Sequence, residues 1–78
     1  METLSIDLER LRCFLAVAEE RHFRRAAERL DRTQPPVSVA GKKLEEALGV
    51  QLLERSTRSV RLTPAGRVLQ EKGAALME

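Results

Sequence analysis

Ala26-Ala27-Glu28-Arg29-Leu30, Asp31-Arg32-Thr33, Gln34-Pro35-Pro36-Val37-Ser38 and Leu44-Glu45-Glu46-Ala47-Leu48-Gly49 follow one another between Phe23 and Arg61. The first segment is a short helix, the second a tight turn, and the rest a second helix that stops at a glycine. Leu52, Leu53, Val60 and Leu62 then supply apolar positions for two short strands, with Ser56-Thr57-Arg58-Ser59 as the polar turn between them. Two short helices across a tight turn, followed by a hairpin with arginines at its tip, make a mainly α winged helix–turn–helix. That architecture implies double-stranded DNA as partner, with the second helix in the major groove and the hairpin wing in the minor groove.

Outward from this stretch, Leu8, Leu11, Phe14, Leu15 and Ala18 recur at helical spacing and predict an amphipathic helix from about Asp7 to Glu20. Ser5 or Asp7 can cap it, and the sequence does not decide between them. The next helix, about Phe23 to Leu30, is expected to bury Phe23, Ala26, Ala27 and Leu30, its alanines allowing a close helix crossing. Thr33 is a natural N-cap for the third helix, and the two prolines cost little in a first turn whose N–H groups have no intrahelical partner. Because Pro36 disfavours helical geometry at Pro35, the regular helix is expected to begin at Pro36. Val37, Ala40 or Gly41, Leu44 and Leu48 face inward, and Gly49 supplies a left-handed stop with Val50 folding back on Leu44. Thr63-Pro64 starts a fourth helix, with Val68, Leu69 and Leu76 on one face. That helix stops in mid-pattern, as expected of a piece of a longer chain. The expected organisation is therefore a winged domain over 1–62 and the start of a linker or dimerisation helix over 63–78, four helices and one hairpin in all.

Charge supports the same reading. The net charge is only +2, but residues 1–20 carry two basic and five acidic side chains, whereas 21–67 carry eleven basic and five acidic. The positive block coincides with the helix–turn–helix and hairpin, where it attracts a phosphate backbone and releases its counterions. Charges break every apolar window, and no signal peptide pattern opens the chain, so a soluble cytoplasmic protein is expected. A single cysteine, Cys13, fits a reducing compartment and reads as a packing residue. Cys13 and His22, each the sole residue of its kind, are not at metal-ligand spacing, and no nucleophilic constellation or glycine-rich phosphate loop is present. Neither an enzyme nor a cofactor is expected in this domain.

The candidate contacts lie on the third helix and the hairpin. Gln34 can pair bidentately with adenine, Ser38 can bond a base edge or a phosphate, and Pro36 can pack on a thymine methyl. Val39 and Lys42 share the exposed side, and backbone N–H groups at Thr33 and Gln34 are free to meet a phosphate oxygen. Arg55 and Arg58 flank the hairpin tip, and an arginine there can enter a narrow minor groove. Arg24 opens the second helix beside Arg25, and His22 precedes it; all three are within reach of phosphates.

With these residues in view, the chain resembles the N-terminal DNA-binding domain of LysR-type transcriptional regulators. The most specific pieces are Leu11-Arg12-Cys13-Phe14-Leu15-Ala16-Val17-Ala18-Glu19, the Ala26 to Leu30, Gln34 to Ser38 and Leu44 to Gly49 segments, Leu52-Leu53-Glu54-Arg55 and Leu62-Thr63-Pro64-Ala65-Gly66. The resemblance implies a bacterial regulator that binds an imperfect inverted-repeat operator, dimerises, and forms a tetramer in the full-length protein. It implies that the helix from Thr63 pairs two domains and that a missing C-terminal domain binds a small-molecule effector. By position it assigns recognition-helix contacts to Gln34, Pro35, Pro36 and Ser38, minor-groove entry to Arg58 and a backbone contact to Arg55. Three positions depart from the family's pattern. Val39 stands where a polar or basic reader is common, Gly41 where a branched apolar residue packs, and His22 in place of a small polar cap. A softer recognition helix and an altered operator preference are expected from these. The competing reading is a winged-helix protein-interaction adaptor; RNA binding is disfavoured by the lack of exposed aromatic side chains for stacking.

Overall fold

The computed structural model describes residues 8–31, 34–55 and 59–76, with the backbone alone at Gln34, Pro35 and Leu76. Its elements run α1 (Leu8–Glu20), α2 (Phe23–Arg29), α3 (Gln34–Leu48), β1 (Leu53–Arg55), β2 (Val60–Leu62) and α4 (Pro64–Leu76). β1 and β2 pair antiparallel, with Leu53 opposite Leu62, Glu54 opposite Arg61 and Arg55 opposite Val60. This is the winged helix–turn–helix expected from the sequence. Among the described residues, no helix is long and apolar enough to cross a membrane.

α1 is the central element, packed against α2, α3, α4 and β2. Contact from several sides explains why its buried band is wider than the spacing suggested: Cys13, Ala16 and Val17 join Leu11, Phe14 and Ala18 in the core. Leu8 is the exception, 61% exposed. It shares the edge of the band with Leu15, seven residues on, which is itself only half-buried. The caps expected at Ser5 or Asp7 lie outside the described residues.

α2 buries Ala26 and Ala27 fully and Phe23 and Leu30 in part, and ends at Arg29. Asp31, at a φ of 59°, takes the left-handed turn that closes it; Arg32 and Thr33 lie outside the described residues. His22 occupies the cap position of α2 with no side-chain cap bond, so the departure noted in the sequence leaves the N–H groups of that end uncapped. At the other end the Arg29 guanidinium is paired with Glu19 and Glu20, joining α2 to the last turn of α1. That pairing, chiefly the hydrogen bond to Glu19, raises the Arg29 pKa further.

α3 begins at Gln34, two residues earlier than the proline argument predicts. A first turn demands no intrahelical N–H donors, and this outweighs the preference of Pro35 for extended backbone. Val37, Gly41 and Leu44 are buried and Leu48 half-buried, while Ala40 is only half-buried, which settles the Ala40 or Gly41 alternative towards the glycine. Gly49 stops the helix at a φ of +72°, its N–H donating to the Glu45 carbonyl at 2.8 Å. Val50 is exposed rather than folded back under Leu44.

The base of the hairpin is held by side chains from its two neighbouring helices. Glu45 Oε2 accepts from the Leu52 and Leu53 N–H groups at 2.8 and 2.9 Å, so α3 closes the first turn into β1. Thr63 Oγ1 accepts from the Gly66 N–H at 3.0 Å and donates to the Gln51 carbonyl at 2.6 Å, capping α4 while binding it to the β1 entry. The Thr63 N–H also donates to the Leu52 carbonyl. Gly66 then passes so close beneath that carbonyl that a Cβ there would lie 2.2 Å from the Leu52 oxygen. Further along α4, Gly73 is buried against Leu11 and Leu15 of α1 and Leu69 is half-buried, whereas Val68 is exposed. The inward stripe of α4 therefore runs through Gly66, Leu69 and Gly73. Val68 lies about 100° around the helix from Leu69, so the two do not share the single free face expected of them.

Candidate nucleic-acid interface

The first two turns of α3 form the centre of the candidate surface. With Val37, Gly41, Leu44 and Leu48 turned to the core, the 100° advance per residue puts Pro36, Val39, Lys42, Lys43 and Glu46 outward. Pro36, Val39, Lys42 and Lys43 are all exposed, as the sequence reading of Pro36, Val39 and Lys42 expects. Ser38 is half-buried and sits on the shoulder of this face rather than in its middle. The expected contacts at Thr33 and Arg58 lie outside the described residues. For Gln34 and Pro35 the backbone alone is placed, in the first turn of α3. The helix start is thus on the same end as Pro36 and Val39.

Arg24 lies near the start of α2, exposed, with its Nε 3.6 Å from Glu28 one turn on. An exposed i,i+4 pair of this kind is weak, so the guanidinium can exchange it for a phosphate at little cost. On the hairpin, Arg61 is exposed opposite Glu54 across the two strands.

Arg55 is placed differently from a surface phosphate contact. Its guanidinium turns back towards the helices, 5.3 Å from the centre of the Phe23 ring and with Nη2 3.6 Å from Glu45 Oε1. Nη2 also lies 3.4 Å from where a Cβ on Gly41 would be. Among the described residues, Nε and Nη2, both buried, have no hydrogen-bond acceptor. A side chain longer than alanine at Gly41 would run into Arg55, and the arginine joins β1 to α2 and α3 together. Sequence reasoning flagged Gly41 and Arg55 separately but missed that they meet. The available signal was the glycine itself, a small residue on the inward stripe of a helix followed by a long side chain entering from the next element. Glu45 was also missed, because a glutamate on a helix flank reads as solvated charge until the strand that it caps is in place.

The wider comparison agrees with this arrangement. The profile described as bacterial regulatory helix-turn-helix protein, lysR family, matches residues 8–67. The HTH-type transcriptional regulator XapR of Escherichia coli (strain K12) is 56% identical over 71 residues, which is 91% of this chain and 24% of XapR. Among solved structures, the CbnR_DBD-DNA complex superposes with a TM-score of 0.89 at 40% identity, covering 92% of this chain and 83% of that one. The BenM_DBD/benA site 1 DNA complex gives 0.87 at 44% identity, covering 92% and 81%. The chain spans about a quarter of the length of the first curated relatives it matches, 24% in the case of XapR. With the profile covering most of its length and these superpositions spanning 92% of it, the chain belongs to the lysR family of bacterial regulatory helix-turn-helix proteins.

Proposed function

We propose that this domain binds double-stranded DNA in a sequence-specific manner as part of a cytoplasmic bacterial transcriptional regulator. The observation that carries the reading is the outward face of α3: Pro36, Val39, Lys42 and Lys43 are exposed on a helix whose opposite side is locked into the core. Likeness at 40–44% identity to domains solved on DNA supports the same docking. In that docking α3 enters the major groove, with Gln34, Pro35, Pro36, Ser38 and Val39 at base edges and the α3 start, Thr33 included, at a phosphate. Arg58 enters the minor groove, Lys42 and Arg24 meet the backbone, and Arg55 holds the wing in place for the others.

The operator is an imperfect inverted repeat bound by a homodimer that pairs through α4, with a tetramer in the longer protein. There a C-terminal domain binds a small-molecule effector. The DNA-binding part itself uses no cofactor and performs no catalysis.

A salt titration tests the reading against a protein-interaction adaptor. Duplex affinity should fall steeply with salt, by a slope of about −0.9 per phosphate neutralised. Salt-insensitive or undetectable duplex binding would remove the assignment.

A further inference from the structure

We propose that Val39 is a specificity-determining residue of this chain and reads the C5-methyl group of a pyrimidine, thymine first of all. The inference rests on the DNA-binding reading above. Val39 lies about half a turn around α3 from the middle of the buried stripe of Val37, Gly41 and Leu44, and is 50% exposed. Pro36 precedes it by three residues and Lys42 follows by three, so the three make one outward row. Among the described residues the other exposed large apolar side chains, Leu8, Val50 and Val68, lie outside α3.

Neither Pro36 nor Val39 has a side-chain donor or acceptor, so the centre of the outward row cannot hydrogen-bond a base edge. Of its neighbours in sequence, Ser38 lies on the shoulder of this face and Ala40 has no side-chain donor or acceptor, so neither supplies a hydrogen bond at the position that Val39 covers. In the major groove the one apolar feature of a base pair is the thymine C5-methyl. Against guanine, adenine or unmodified cytosine, the valine would strip water from a polar edge and return no hydrogen bond, which is unfavourable. Val39 thus selects in two ways, by covering a methyl group and by penalising bare polar edges. Lys42, one turn on, contributes charge without sequence information.

Duplexes selected from a random pool by the 78-residue chain provide the probes. Each thymidine is replaced in turn by deoxyuridine, which lacks only the methyl group. At one position per bound site the affinity of the wild-type chain should drop about fourfold, the worth of roughly one buried methyl. Cytidine there should bind more weakly still, and 5-methylcytidine should recover part of the difference. Val39→Ser, a change at an exposed site, should bind the thymidine and deoxyuridine duplexes alike at that position. Wild-type binding that ignores every deoxyuridine, or a wild-type methyl effect whose every position persists unchanged in Val39→Ser, would overturn the assignment to Val39 alone. A pool that yields no enriched duplex would overturn the DNA-binding reading itself, and this inference with it.

Discussion

Two glycines of this domain have opposite structural meanings, although both sit within helices. Gly41 is buried on α3, yet a methyl group added there would meet Arg55 Nη2 at 3.4 Å and Leu53 Cδ1 at 3.7 Å, which is ordinary contact. Gly66 on α4 has the Leu52 carbonyl oxygen 2.2 Å from its Cβ position, closer than a non-bonded carbon and oxygen tolerate. Gly41→Ala should therefore raise stability by up to about 1 kcal/mol, the helix-propensity difference, because nothing must move to admit it. Gly66→Ala should lower it by about 3 kcal/mol, since backbone, not a flexible side chain, stands in the way. Thermal or denaturant unfolding of the two variants checks both signs. The glycine that looks like a defect in the recognition helix is the replaceable one, and the glycine that ends a familiar motif is not.

At the scale of elements, the wing is not an independent hairpin. Three residues on each strand are too few to hold a two-stranded ribbon in water, so the neighbouring helices must hold it. Glu45 of α3 closes the entry to β1, Thr63 at the start of α4 closes the exit from β2, and Arg55 lies across Phe23 and Gly41. The strands of the wing are thus fixed to α3. Arg55→Ala should lower the thermal stability of the domain and leave the salt slope of DNA binding unchanged. A direct phosphate contact predicts the reverse, a slope smaller by about one unit with little loss of stability. Measuring melting temperature and salt slope on the same variant separates the two roles.

For the molecule as a whole, α4 both completes the core and offers a surface. Gly73 lies against α1, Leu69 packs against the core, and Val68 remains 52% exposed on another side. The apolar area left for pairing is therefore smaller than the sequence suggested, and the isolated domain should associate only weakly. On a duplex carrying two half-sites the two copies are held side by side, which raises their effective concentration. Light scattering should give a monomer in solution at micromolar protein and a dimer on such a duplex. Val68→Glu should reduce the cooperativity of binding and leave affinity for a single half-site unchanged. Equal cooperativity in Val68→Glu would place the pairing surface elsewhere.

Much of this was legible in the sequence because it depends on neighbours along the chain. Helix periodicity in Leu11 to Ala18, the Thr63-Pro64 start, the Gly49 stop and the alternating Leu52 to Leu62 hairpin all follow from local geometry and the need to bury one face. Their order was enough to predict a winged helix–turn–helix, and through it which end of α3 faces outward. What depended on residues distant in sequence was not legible. The exposure of Leu8, the use of Gly73 by α1 and the inward turn of Arg55 each depend on what packs alongside. A charged side chain near a wing looks like a phosphate contact when only its own segment is considered. Whether it reaches outward or folds inward depends on a ring, a carboxylate and a missing side chain supplied by two other helices, and only the tertiary structure brings those together.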